Sequence, residues 1–383
     1  MGLATAVIIG LSWPWLGQKV GAPDAGEYGG AASTACVIGI FIISGLTLKT
    51  DDIRMAISKQ GRAGTIYGII AILGITPILG FLTIRLPLAQ PEFAYGLTVF
   101  CAVPTTLASG VSMVTQAGGN GALALLLTVV TNLTAVVTTP FWLSAMFKSK
   151  SQGTNGATID PVSLLQKLIV TVLVPLVFGK LLRDLVPGCK GFVTRQKVKL
   201  GVCNNIMLTL IVWLTISDAA EDLLSTPFAD IAVVIACGIA VHVIYLSLNW
   251  PMGKFALKLP LPEFKAVTIM ASQKTLPLSV TIISYLTALG STGFMTLPCI
   301  VGHMSQLFID AGLQSMWLAQ AAKREAATRD SSVHGDNSPA GAAAVADGTI
   351  SSSSSSSGGG DGSVHGEAVL DQEEAELGVA GVV

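Results

Sequence analysis

Apolar runs separated by Gly, Pro or clusters of charge recur along the chain at roughly 2–16, 32–48, 64–84, 93–116, 121–147, 163–186, 200–217, 229–250, 265–289 and 292–319. A helix needs about 20 apolar residues to cross a bilayer, so the pattern predicts an all-α polytopic membrane protein with ten transmembrane helices. The first run falls short of that length and reads as a span that begins partway through, as in a truncated or processed chain. Beyond the last run, residues 321–383 form a Ser/Gly-rich tail with too little apolar matter to fold, and disorder is expected there.

The pattern repeats. Pro91-Glu92-Phe93 returns as Pro262-Glu263-Phe264, an offset of 171 that also carries Asp51 onto Asp222 and helices 2 to 5 onto helices 7 to 10. Residues 1–150 therefore read as one five-helix repeat and 151–320 as a second. An odd number of spans per unit inverts one copy relative to the other. Charge agrees with that reading. Assigning alternate loops to sides puts sixteen basic residues on one face (Lys49, Arg54, Lys59, Arg62; Lys180, Arg183, Lys190, Arg195, Lys197, Lys199; Lys254, Lys258, Lys265; Lys323, Arg324, Arg329). Five lie on the other: Lys19, Arg85, Lys148, Lys150 and Lys167. The positive-inside rule then puts both termini on the cytoplasmic or organelle-matrix side.

Composition supports the membrane assignment, with charged residues at 12% of the chain and apolar types at 51%, where soluble domains carry about 25% charge. A net charge of −1 gives no reason to expect nucleic acid, and no protein partner is evident beyond the lipid bilayer. Six cysteines fall without CxxC or paired spacing, so neither a disulfide framework nor a metal site is expected.

Candidate chemistry sits mid-membrane. Between Ala266 and Leu289 the one charged side chain is Lys274, in "SQKTLPLSV", and stranding an ammonium at that depth costs about 3 kcal/mol or more. The bland reading is a structural lysine that snorkels or satisfies freed carbonyls; buried intramembrane charge more often marks a site. In the other repeat "CAVPTTLASG" carries Pro104, Thr105, Thr106 and Ser109, and the offset sets Val103–Thr106 against Lys274–Pro277. Proline removes an amide hydrogen and frees a carbonyl one turn back, so helices 4 and 9 are predicted to be discontinuous, with Gln273, Lys274 and Thr275 completing a substrate site opposite Pro104, Thr105, Thr106 and Ser109. Asp310 aligns with His303 and Gln306 at i, i+3, i+7 on helix 10, while Thr128 and Asn132 pair at i, i+4 on helix 5. With Lys274 these form a candidate coupling-ion group, in which Asp310 or the bound substrate neutralises the lysine. Lone Ser, Thr and Asn residues otherwise act as interhelical glue, and His242 alone reads as packing.

The segments "FIISGLTLKTDDI", "VPTTLASGVSMVTQAGGNGALALLLTVVTNL", "SQKTLPLSV" and "LPCIVGHMSQLFIDAGL" together resemble the bile acid:sodium symporter superfamily, in its SBF-like branch, and within it the plastid-type sodium/metabolite cotransporters. That resemblance implies a panel domain of helices 1, 2, 6 and 7 and a core of helices 3–5 and 8–10, with helices 4 and 9 crossing. It implies transport of an organic anion by alternating access, no cofactor other than a coupling Na+ or H+, and a place in the plastid envelope. One departure stands out: where sodium-dependent members carry a glutamate and, four residues on, a glutamine in helix 9, this chain places Met270 and Lys274. Pyruvate-like acids, other small carboxylates and sterol conjugates all suit such a site. The rival readings are an intramembrane enzyme using Ser109 with His303, and a regulatory membrane protein that does not transport. The chain lacks HExxH and GxSxG, so no catalytic residue is assigned.

Overall fold

Proline and glycine divide this chain as much as hydrophobicity builds it. The computed structural model describes residues 2–21, 30–48, 62–106, 109–151 and 158–335, and these contain helices and no strand. Helix α1 (Gly2–Ser12) breaks at Trp13 and continues as α2 (Pro14–Gly21), because Pro14 has no amide hydrogen to carry the ladder onward. Next come α3 (Ala31–Thr47), α4 (Arg62–Thr83), α5 (Pro91–Ala102), α6 (Ser109–Gln116) and α7 (Gly121–Ser151). The second half holds α8 (Pro161–Leu185), the short α9 (Cys189–Arg195), α10 (Lys197–Asp218), α11 (Ala220–Ser225) and α12 (Phe228–Ala256), then α13 (Leu261–Ser272), α14 (Leu276–Ile283) and α15 (Thr292–Gly335).

Among the described residues six helices are long and apolar enough to cross a membrane: α4, α7, α8, α10, α12 and, counted across its interruption, Leu261–Ile283. The expected spans at 2–16 and 32–48 are shorter apolar helices, and that at 93–116 is two helices with a non-helical stretch between them. The last helix does not stop near 319 but runs to Gly335, so the first part of the tail expected to be disordered is helical. The remainder of that tail, and the loop residues Lys49, Asp51, Arg54 and Lys59, lie outside the described residues.

Gly2–Gln320 form one compact unit, whose helices pack in two groups. One gathers α1, α2 and α3 along α10, with α3 also against α8; the other gathers α4 to α7 with α12 and α13. The outer helices expose Ile66, Ile70, Phe141, Phe178, Leu181 and Phe228, as lipid-facing surfaces do. The interrupted Leu261–Ile283 is buried from Phe264 to its end, so it is the axis about which the second group is built.

The α3–α8 contact is close because glycine sits on both sides of it. A Cβ on Gly45 would run into the carbonyl of Leu176, and one on Gly179 into the carbonyl of Ile42, the small-residue contact by which membrane helices approach backbone to backbone. Arg183 of α8 then donates from Nη1 to the carbonyl of Leu46 at 2.7 Å, and Lys180 from Nζ to that of Leu48 at 3.0 Å. Both supply donors to the unpaired carbonyls at the C-terminal end of α3. Gly45→Ala and Gly179→Ala are each expected to cost about 1–3 kcal/mol by overpacking, read as a lower thermal midpoint of the detergent-purified protein. Gly201→Ala, whose Cβ would meet nothing within 4 Å, is expected to leave that midpoint unchanged or slightly raised.

Candidate functional site

A break in a membrane helix strands carbonyls that no water can reach, and other segments of the chain supply donors to those at the centre of this one. Helix α5 ends at Ala102, and residues Val103 to Thr106 leave the helical path. The carbonyl of Ala102 accepts from Thr139 Oγ1 (3.1 Å) and that of Val103 from Lys274 Nζ (2.8 Å). Pro104 accepts from the amide of Thr275 (3.0 Å), Thr105 from Asn132 Nδ2 (3.1 Å) and Thr106, more loosely, from Thr128 Oγ1 (3.5 Å). On the other strand of the joint, α13 ends at Ser272, and Gln273 to Thr275 are extended before α14 begins. There the carbonyl of Ser272 faces His242 Nδ1 (3.1 Å), and Thr275 O accepts from Ser279 Oγ (2.8 Å). Gln306 clamps the Lys274 peptide on both sides, accepting its amide hydrogen on Oε1 (2.8 Å) and donating from Nε2 to its carbonyl (2.7 Å).

Helix α4 prepares the pocket for the ammonium. A π-helical turn at Ala71–Ile75 precedes Pro77, and such turns often mark functional positions. Pro77 cannot donate to the carbonyl of Leu73, and Trp142 Nε1 does so instead at 2.8 Å. The same distortion presents Thr76, whose hydroxyl accepts from Lys274 Nζ at 2.8 Å while its carbonyl accepts from Tyr245 OH at 2.9 Å. The Tyr245 ring lies 5.3 Å from the ammonium, within cation–π range. Lys274 is 1% exposed, and its acceptors are a hydroxyl, a carbonyl at the C-terminal end of α5 and an aromatic face. Among the described residues no carboxylate lies within salt-bridge distance of it. It is a buried positive charge solvated by neutral dipoles.

The expected partner went elsewhere. Asp310, wholly buried on α15, faces His242 Nε2 from Oδ1 at 3.0 Å and accepts from Gln273 Nε2 on Oδ2 at 2.6 Å, so it does not neutralise Lys274 in this arrangement. Gln273 passes the connection on: its Oε1 accepts from Thr106 Oγ1 at 2.7 Å, and that hydroxyl accepts from the amide of Gly110 at 3.1 Å.

Of the residues singled out in the sequence, Pro104, Thr105, Thr106, Gln273, Lys274 and Thr275 form the joint, and Thr128, Asn132 and Gln306 tie it to α7 and α15. Thr105 Oγ1 is buried without a hydrogen-bond partner. His303 Nδ1 faces Gln306 Nε2 at 2.9 Å and the carbonyl of Lys274 at 3.3 Å, rather than the hydroxyl of Ser109, which opens α6 half-buried. His242 and Tyr245, on the predicted eighth helix, were not singled out as site residues. Their spacing, i and i+3 on one face of α12 beside Asn249, is the signal that would have found them.

Residues 1–319 match the SBF-like CPA transporter family. The probable sodium/metabolite cotransporter BASS4, chloroplastic, of Arabidopsis thaliana is 35% identical over 325 residues, 83% of this chain and 72% of that protein. Its namesake in Oryza sativa subsp. japonica is 34% identical over 289 residues, 73% of this chain and 67% of that protein. More distantly, sodium/bile acid cotransporter 7-B of Xenopus laevis is 22% identical over 321 residues, 82% of this chain and 89% of that protein.

Gln306→Leu keeps the volume of the clamp and removes its polar atoms, leaving the Lys274 amide and carbonyl short of partners. A loss of about 1–3 kcal/mol for each buried group is expected, seen as a fall in thermal midpoint. Gln314→Leu, which disrupts an exposed contact to Gln116, is expected to stay within about 0.5 kcal/mol.

Proposed function

This chain belongs to the SBF-like CPA transporter family, and we propose that it moves a small organic anion, a carboxylate, across a membrane by alternating access, coupled to sodium or to protons. Membership makes it an integral membrane transporter and not the intramembrane enzyme that Ser109 and His303 brought to mind. The observation that carries the rest is Lys274: a fully buried cation at the meeting of two interrupted helices, held by neutral groups and without a carboxylate of its own among the described residues. A charge kept so deep and left unpaired is complementary to an anion arriving beside it.

The reading draws the architecture together. Ten spans form two inverted five-helix repeats, and the joint is their pseudo-symmetry point. Two of its bonds, Lys274 Nζ to Val103 O and Thr275 N to Pro104 O, join positions that are 171 residues apart. The group of α1, α2, α3, α8 and α10 serves as the panel, and the group built around α13 and α14 as the core. Alternating access is then a rocking of core against panel about the joint, with the N-terminal ends of α6 and α14 offering amide dipoles to the anion. The relatives named as chloroplastic cotransporters favour a plastid envelope, with both termini on its stromal side. Coupling to sodium is what those names suggest; the helix-9 segment of this chain carries no carboxylate between Ala266 and Leu289.

Uptake of pyruvate, other small carboxylates and a sterol conjugate into proteoliposomes, with sodium present or replaced by choline, tests the reading. Wild-type protein is expected to accumulate at least one of these acids. Lys274→Met is expected to lose that uptake by on the order of a hundredfold, the equivalent of the ~3 kcal/mol that an uncompensated mid-membrane charge costs. Undiminished uptake by Lys274→Met, with unaltered pH and sodium dependence, would remove the lysine from the mechanism.

A further inference from the structure

The buried pair His242–Asp310 has one more hydrogen bond than a neutral histidine and an ionised aspartate can make. His242 is 1% exposed and Asp310 0%. The ring nitrogen Nδ1 of His242 faces the carbonyl of Ser272 at 3.1 Å. A carbonyl only accepts, so Nδ1 carries a hydrogen. The other nitrogen, Nε2, faces Asp310 Oδ1 at 3.0 Å. In the neutral ring that nitrogen would be a lone pair pointed at a carboxylate oxygen, two acceptors in repulsive contact. A proton must lie between them, on Nε2 or on Oδ1, for the contact to hold. The second carboxylate oxygen is already used by Gln273 Nε2 at 2.6 Å. His303 makes the contrast: its Nδ1 accepts from Gln306 Nε2 at 2.9 Å, and the Lys274 carbonyl, 3.3 Å from that nitrogen, takes its hydrogen from Gln306 Nε2 at 2.7 Å, so the ring needs one hydrogen alone.

We propose that His242 and Asp310 form the proton-coupling site of this transporter, binding one proton together and carrying it with the anion. The inference rests on the transport reading above and names the coupling ion that it left open. The proton comes from water on one face of the membrane, resides between Nε2 and Oδ1, and leaves to water on the other; no bond other than N–H or O–H forms or breaks.

Charge balance supplies the coupling. The titratable and charged groups on the elements around the pair include Tyr67 of α4, Cys101 of α5, Tyr245 of α12, Lys265 of α13, Lys274 at the joint and His303 of α15. Tyr67 OH donates to Asn249, Tyr245 OH to the carbonyl of Thr76, and Lys265 Nζ to the carbonyl of Ala117. Lys274 is the cation of the joint. Without the extra proton, Asp310 cancels Lys274 and the joint is neutral when empty. With it, the joint carries one net positive charge, which a bound monoanion cancels. The two neutral states, empty and fully loaded, are the ones that a low-dielectric core passes at least cost; anion alone or proton alone leaves an uncompensated buried charge. Gln273 connects the pair to the joint itself, bonded to Asp310 on one side and to Thr106 on the other, so loading the pair is felt at both breaks.

Nitrogen NMR of histidine-labelled protein in nanodiscs reads the proton directly, because the chain has four histidines and His242→Gln identifies the relevant signals. The expected result near pH 7 is a His242 ring with hydrogen on both nitrogens or in a short shared bond. This state should be absent from Asp310→Asn, while His303 stays a single neutral tautomer. A His242 ring that remains one neutral tautomer from about pH 5 to 9 would rule out the proton site. In proteoliposomes without sodium, an inward proton gradient is expected to drive [14C]pyruvate uptake that an imposed membrane potential does not change. His242→Gln should lower this uptake by on the order of a hundredfold. Pyruvate uptake that follows a sodium gradient alone, and is equal in wild type and His242→Gln, would end the proton assignment and leave the transport reading intact. A wild type that carries neither pyruvate nor any other acid under either gradient would end the transport reading, and the coupling role with it.

Discussion

Inside a bilayer a peptide group that leaves its helix has no water to fall back on, and every feature of the central joint follows from that constraint. Two helices are interrupted mid-span, and the carbonyls from Ala102 to Thr106 each find a donor on another segment. Neither break is self-sufficient. The first is completed by an amide and an ammonium from the second, and the second is clamped by Gln306 of α15. Interrupting one helix alone would leave several buried groups unpaired, at about 1–3 kcal/mol each; interrupting two side by side lets each supply what the other lacks.

That mutual dependence also explains why the site is charged. A neutral side chain at position 274 would satisfy the Val103 carbonyl as well as an ammonium does, at no cost of burial. The lysine is held by Thr76, Val103 and the Tyr245 face, which solvate the cation and leave its charge uncancelled. Asp310, close by through Gln273, is occupied with His242. The joint therefore holds a cation and a carboxylate that are connected through one glutamine but paired with different partners, an arrangement whose net charge depends on what is bound. Burial of charge is weak evidence for stability and stronger evidence for function.

Much of this was legible in the sequence because the repeat is a geometric statement. The offset of 171 set Val103–Thr106 opposite Lys274–Pro277, and the structure interrupts its helices at Val103–Thr106 and Gln273–Thr275. Spacing also sets His303, Gln306 and Asp310 on one helix face, and in the structure His303 and Gln306 meet at the Lys274 peptide. What spacing cannot give is the rotation of one helix relative to its neighbour, and there the reading missed: Asp310 turns to His242 on α12, not to Lys274. His242 reads as packing because it stands among apolar residues in the sequence, and its polar company comes from α13 and α15. The last helix was cut short near 319 for a related reason, as hydropathy marks where the bilayer ends and not where helical propensity does; "LAQAAKREAATRD" is polar yet rich in good helix formers.

Ligand-induced stabilisation isolates the claim that Lys274 is the counter-charge of a bound anion, because it needs neither a gradient nor a turnover. Purified wild-type protein and Lys274→Met would be melted against a panel of small carboxylates over a range of pH, with and without sodium. A bound acid at a hundred times its dissociation constant stabilises the folded state by about 2.7 kcal/mol. The account predicts such an upward shift for at least one acid in the wild type and none for the same acid in Lys274→Met. An equal shift in both proteins would contradict it, since the anion would then be binding somewhere other than at the buried ammonium.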